Sequence, residues 1–186
     1  MSIKLSGVTR KMWRRAMAGV LALGVAVLLP VSIMAADEVM LDGNLGTANV
    51  TAGDKSYAQA INAKYNELVK VQVQYRNTSD DKTGQKVRVK ITLPDGAGKI
   101  QAVKATVGGD NTSALDKQVV VNLERDDASL QFIPGSAVWK HNAGSNDKPD
   151  YKEEKISDEV VSGSQGLDLG DVKAGNYSAT VTILES

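Results

Sequence analysis

The sequence predicts an all-β fold, a sandwich of two antiparallel sheets preceded by an N-terminal apolar signal or anchor helix. Three observations point there. Short stretches of the chain alternate Val, Ile or Leu with Lys, Arg, Gln or Thr at a period of two, the signature of strands with one face buried. Turn formers separate these stretches at short intervals. The first 36 residues stand apart, with a basic opening that runs into an uncharged segment.

That opening holds Lys4, Arg10, Lys11, Arg14 and Arg15, and then Ala16–Ala36 passes without a charged side chain. A positive start, an apolar run to Leu29, a helix-breaking Pro30 and small residues at Ala35 and Ala36 form the layout of a secretory leader. Cleavage is expected after Ala35 or Ala36. Three residues before either cut stands Ile33 or Met34, larger than a signal peptidase prefers, so an uncleaved anchor is the alternative. Ala16–Ala36 is long enough for it, since about 20 apolar residues cross a bilayer. Under both readings the basic residues stay inside and the rest goes out, through the Sec route, to the cell surface or the extracellular space. Arg14-Arg15 lacks the flanking residues of a twin-arginine signal.

The leader carries five of the 22 Lys+Arg and none of the 22 Asp+Glu, so the remainder has 17 basic against 22 acidic residues, a net of −5. Affinity for nucleic acid comes from clustered cations on phosphates, and here the cations are dispersed among acids; nucleic acid is not an expected partner. Cysteine is absent, which leaves neither a disulfide nor a lipid-modified thiol to hold an exported chain. About 150 residues is one ordinary domain, large enough to bury a core without staples. The division expected is 1–36 signal peptide or signal anchor, 37–56 linker or first strand, and 57–186 sandwich.

The clearest strand begins at Leu68: Val69, Val71, Val73 and Tyr75 share one face and Lys70, Gln72, Gln74 and Arg76 the other. Asn77-Thr78-Ser79-Asp80-Asp81 ends it. A second strand puts Val87, Val89 and Ile91 inward and Lys86, Arg88 and Lys90 outward, and stops at Leu93-Pro94-Asp95-Gly96, where proline presets φ and glycine supplies a positive φ. Ile100–Val107 and Val119–Leu123 repeat the alternation. Leu130–Ile133 and Ala137–Trp139 read as strands around Pro134-Gly135-Ser136, where proline forces a bend. His141–Glu154 is polar and rich in turn formers, and reads as an exposed loop. Tyr177–Leu184 is the final strand, with Tyr177, Ala179, Val181 and Ile183 inward. The one helix reading outside the leader is Ala58–Lys64. Short strands with one polar face, spaced by turns, predict the sandwich.

Four of these punctuation marks carry a resemblance. Asn77-Thr78-Ser79, Leu93-Pro94-Asp95-Gly96, Phe132-Ile133-Pro134-Gly135-Ser136 and the run Gly166-Leu167-Asp168-Leu169-Gly170-Asp171-Val172-Lys173-Ala174-Gly175 follow one another in the order of a bacterial surface-repeat family. From about Val50 to Leu184 the chain resembles the immunoglobulin-like repeat domain of unknown function of bacterial cell-surface and S-layer-type proteins. In the commonest form of that family the leucine-proline turn lies close to the proline-glycine-serine turn. Here Ala97–Gln131 separates them, with Gly109-Asp110-Asn111 as an intervening turn, as in a longer variant. The resemblance implies an immunoglobulin-like sandwich and a surface location, and no catalytic residues.

Candidate sites are few. Trp139, His141 and Tyr151 flank or lie in the polar loop and are the candidate binding residues, since exposed aromatics give contact area at small entropic cost. His141 is the only histidine, and a zinc site or a hydrolase triad needs partners for it. Asp80, Asp81, Asp126 and Asp127, with Asp168 and Asp171, stand in or near turns, where extracellular modules hold calcium through oxygen ligands. None matches the twelve-residue calcium loop, so no metal or other cofactor is expected, with calcium the one ion left open. Asn49, Asn77, Asn111 and Asn176 head Asn-x-Ser/Thr sequons. Lys70 or Lys90 with Asn176 is the pairing to test for an intramolecular isopeptide bond, although both lysines point outward on this register. The expected function is a non-enzymatic exported structural or adhesion module whose partners are other surface proteins or glycans, or the membrane through Ala16–Ala36 if the leader is retained. The alternative is a secreted glycan- or protein-binding domain using the loop around Trp139 and Tyr151.

Overall fold

The computed structural model describes residues 38–145, 147–175 and 178–186. The leader, and with it the signal or anchor helix, lies outside the described residues, as do Asn176 and Tyr177. Among the described residues no helix is long and apolar enough to cross a membrane.

The described chain is all-β, ten strands in two five-stranded sheets. The strands are β1 (Leu41–Asn49), β2 (Ala60–Ala63), β3 (Val69–Asn77), β4 (Arg88–Thr92), β5 (Ile100–Gly108), β6 (Leu115–Leu123), β7 (Val138–Asn142), β8 (Tyr151–Lys155), β9 (Leu167–Asp168) and β10 (Ser178–Glu185), with one short helix, α1 (Glu159–Ser162), between β8 and β9. One sheet runs β1-β3-β10-β7-β8 and the other β2-β6-β5-β4-β9. All pairings are antiparallel except that of β2 with β6.

The alternation read from the sequence is the alternation of burial. Val69, Val71, Val73 and Tyr75 are buried from β3, Val87, Val89 and Ile91 from β4 and the residue before it, Val103, Ala105 and Val107 from β5, Val119 and Val121 from β6, and Ala179, Val181 and Ile183 from β10. These side chains form one core, almost entirely of Val, Ile, Leu and Ala, with Tyr75 its largest fully buried member. Gly96 holds a φ of 82°, the conformation its turn requires.

Three elements depart from the sequence reading. Ala58–Lys64 is not a helix: Ala60–Ala63 is β2, aligned parallel to β6 with Ile61 opposite Val121. Seven residues are too few to hold a helix without tertiary help, and the open edge of β6 satisfies the backbone instead. His141–Glu154 is not one loop, because β7 and β8 form a hairpin in which Asn142 pairs with Tyr151 and Val138 with Lys155. The intervening turn is closed by the Asn142 side-chain carbonyl, which accepts from the backbone N–H of Gly144 and Asp150, both at 2.9 Å. Leu130–Ile133 makes a single bridge, Phe132 to Glu185, rather than a strand.

The polar punctuation has structural work at both ends of the sandwich. Asn77, fully buried, donates its amide to the carbonyls of Lys82 (2.6 Å) and Val172 (3.0 Å) and accepts from the Ser79 N–H. At the opposite end Asn49, also buried, donates to the Asn62 carbonyl (3.1 Å) and to Glu67 Oε2 (2.7 Å). Each asparagine ties together segments that no strand ladder joins.

Candidate binding surfaces

The hairpin β7–β8 sorts the candidate residues onto two faces. Trp139 and His141 point toward the core side of the sheet, in register with Val181 and Ala179 of β10. Their rings stack with centroids 3.6 Å apart and 9° between planes. The indole Nε1–H donates to the Tyr75 hydroxyl at 3.1 Å, so the buried phenol has a partner. Burial pushes the Tyr75 phenol far above its ordinary range, which keeps it neutral. Glu154 Oε1 lies 3.4 Å from His141 Nε2. Trp139, His141, Tyr75, Asn142 and Asp171 line a groove of about 250 Å³ at this end of the sandwich.

Tyr151 is elsewhere. It pairs with Asn142, whereas His141 pairs with Lys152, so the Tyr151 side chain leaves the hairpin on the outer face, 56 % exposed. Trp139 and Tyr151 are therefore not one aromatic platform. A strand register shows this at once, and a segment read as a loop hides it.

The acidic pairs stand at opposite ends of the sandwich. Asp80 and Asp81 follow β3 near Gly84 and Val172, while Asp126 and Asp127 follow β6, beside the cleft that Tyr65 and Arg125 line. Asp127 is engaged by Arg125, whose hydrogen bond and charge hold the carboxyl below its usual range. Asp168 and Asp171 serve the backbone, accepting from the N–H of Gly170 (2.8 Å) and Lys86 (3.0 Å). Among the described residues no three His, Cys, Asp or Glu side chains gather as metal ligands.

No family model, curated protein or solved structure matches the chain.

The isopeptide pairing has no geometry to report, because Asn176 lies outside the described residues; Lys90 donates from Nζ to the Ser164 carbonyl at 2.7 Å. Sequence reasoning passed over Glu185, the most unusual titratable group in the described chain. It continues the inward row of Ala179, Val181 and Ile183, stands opposite Val69, and is fully buried. Both carboxylate oxygens lack a hydrogen-bond partner among the described residues, and burial raises its pKa to about 8. The signal was available: extending the period-two register of the last strand by one step puts a glutamate in the core.

Proposed function

We propose that this chain is a non-enzymatic module of bacterial cell-surface type, an immunoglobulin-like sandwich exported behind its leader and serving a structural or adhesive role outside the cytoplasm. The observation that carries the reading is the pairing of a basic, then uncharged, leader with a two-sheet domain that begins at once behind it, its first bridge falling at Val39. The family-type turns support it through what they do. Asn77 of the Asn-Thr-Ser turn is a buried clasp, and the Gly135 N–H of the Pro-Gly-Ser turn donates to the Asp158 carboxylate at 2.9 Å. These are devices that fix a scaffold.

Fractionation with N-terminal sequencing tests this. A product beginning at Ala36 or Asp37 outside the cell, or an intact N-terminus in the membrane fraction with the domain open to added protease, is the expected result. A full-length chain confined to the cytoplasm would refute it. A binding role is the second reading. The exposure of Tyr151 favours it, whereas Trp139 is committed to Tyr75 and His141.

A further inference from the structure

The outer face of the β1-β3-β10-β7-β8 sheet is built differently from an ordinary solvated strand surface. Register places Asn44, Gln74, Thr180, Lys140 and Glu153 in one row across the five strands, and Gly46, Gln72, Thr182, Val138 and Lys155 in the next. On β3 and β10 both rows are uncharged amides and hydroxyls. Charges flank these rows: Lys70 and Arg76 stand toward the two ends of β3, Arg76 in an ion pair with Asp42 of β1 at 2.7 Å, and Lys140, Glu153 and Lys155 stand on the β7–β8 side. Half-buried sheets do present polar residues outward, and a bare row of Thr and Gln would carry no argument.

Two further features do. Tyr57 lies on this face, seated on Gly46; a Cβ at Gly46 would come within 2.7 Å of the Tyr57 Cβ, so the missing side chain makes the seat. The Gln72 amide donates to the Tyr57 hydroxyl and to Thr182 Oγ1, each at 3.3 Å, which fixes its orientation in advance of any ligand. On the far side of the same Gln72 is a depression of about 250 Å³, lined by Gln72, Thr180, Lys140, Ala179 and the exposed ring of Tyr151. Gly46, beneath Tyr57, shares a row with Val138, whereas Tyr151 stands opposite Asn142, four residues further along the strand; with strands about 4.8 Å apart and residues about 3.3 Å along each, the backbone at Gly46 and at Tyr151 lies about 23 Å apart on a diagonal of the face. Tyr57 is 41 % exposed and Tyr151 56 %.

We propose that this face binds a neutral glycan chain laid across the strands, with Tyr57 and Tyr151 as aromatic edges and Gln72, Gln74, Thr180 and Thr182 as the hydrogen-bonding floor. Sugars offer hydroxyls that both donate and accept, as amides and hydroxyls do, and apolar ring faces that suit an aromatic side chain. An anionic polymer is less well matched, since Lys140 and Lys155 alternate with Glu153, Arg76 is engaged by Asp42, and on β3 and β10 neither row carries a cation, Lys70 standing beyond them near the strand end. A peptide added as a strand would need an open sheet edge rather than a face. The proposal deepens the surface-module reading and rests on it for where a glycan would be met. Binding itself is a property of the purified chain.

Affinity electrophoresis of the full chain tests it, in gels containing a β-glucan, a xylan or a mannan as neutral probes and polygalacturonate as the anionic one. At least one neutral polysaccharide should retard the chain equally at low and high salt. Tyr151→Ala and Gln72→Ala should each weaken that retardation at least about tenfold, a loss typical of a central aromatic or buried polar contact. Tyr65→Ala, at the far-end cleft, should leave it unchanged, and melting curves establish that each variant is folded. The proposal is overturned if no neutral gel retards the native chain, if both variants bind like it, or if only polygalacturonate does so and releases it in salt. A surface-exposed chain that no gel retards ends the glycan site and leaves the module; a glycan-binding chain confined to the cytoplasm does the reverse.

Discussion

β3 and β8 belong to one sheet, yet β3 buries every second residue and β8 exposes all five. β3 is paired on both edges and covered by the second sheet, so its register is enforced by the core: a slip of one residue would turn Val69, Val71, Val73 and Tyr75 to solvent and Gln72 and Gln74 inward. β8 is held by its ladder to β7 alone. Four of its five residues are charged, the composition that keeps a free edge from recruiting another chain. One strand is specified by burial and the other by a hairpin. The contrast predicts where the molecule is fragile.

The largest effect belongs to β3. Tyr75→Ala removes the largest fully buried side chain and leaves the Trp139 indole N–H without its acceptor. Truncations of this kind cost about 3–5 kcal/mol, so urea unfolding should show the midpoint falling by more than for any single change in β8. Tyr75→Phe separates the two components, since it keeps the ring and removes only the hydroxyl, at about 1–3 kcal/mol.

Glu185 sharpens the comparison from the opposite side, because it is a charge-capable residue where β10 should carry an apolar one. Its pKa rises from 4.5 in the unfolded chain to about 8 in the folded protein through burial. The folded form therefore keeps a proton that the unfolded form gives up. The contribution is fully present below pH 4.5 and is lost as pH rises toward about 8, at no more than about 1.4 kcal/mol per pH unit. Unfolding free energies measured across that window should decline for the native chain and run nearly flat for Glu185→Gln. Parallel slopes for the two proteins would mean the carboxyl is not the cause.

The same contrast explains how much was legible in the residues. Strands that turn a row of Val, Ile or Leu to the space between the sheets announced themselves, since burial on one face forces the period of two that β3, β4, β5, β6 and β10 display. β8 could not, because a strand exposed at every position has no apolar face to alternate, and the Asn142 side chain that closes its turn is one polar residue among many. β2 was hidden for a different reason: its parallel partner β6 lies some 60 residues on, and Ala-rich segments accept either conformation until such a partner is supplied. The two-faced hairpin followed from β8, so the separation of Trp139 from Tyr151 was out of reach as well. Glu185 was within reach, one step past the strand's assigned end.

Next in size is the polar clasp at the end of β3. Asn77→Ala removes the amide that donates to the Lys82 and Val172 carbonyls, although Val172 still accepts from the Gly84 N–H, and it releases the Ser79 N–H. A loss of about 1–3 kcal/mol is expected in the same urea measurement. Asn77→Asp would distinguish shape from hydrogen bonding, because it keeps the size and the acceptor and removes both donors. If it is as stable as the native chain, the clasp is a matter of packing alone.

The smallest effect is expected in β8 itself. Glu154→Ala removes the carboxylate 3.4 Å from His141 Nε2, but that carboxylate is more than half exposed and the pair carries full opposite charges only when the imidazole is protonated. Exposed pairs contribute at most about 1 kcal/mol, and water and salt screen this one further, so the change in unfolding free energy at neutral pH should stay within about 0.5 kcal/mol. Lys152→Ala, directly opposite His141, should be equally mild. A loss above 1 kcal/mol from either would mean that β8 is held by its side chains after all. The strand would then resemble β3 in kind, with an exposed ion-pair network in place of a core, and the distinction between a strand set by burial and a strand set by its hairpin would fall.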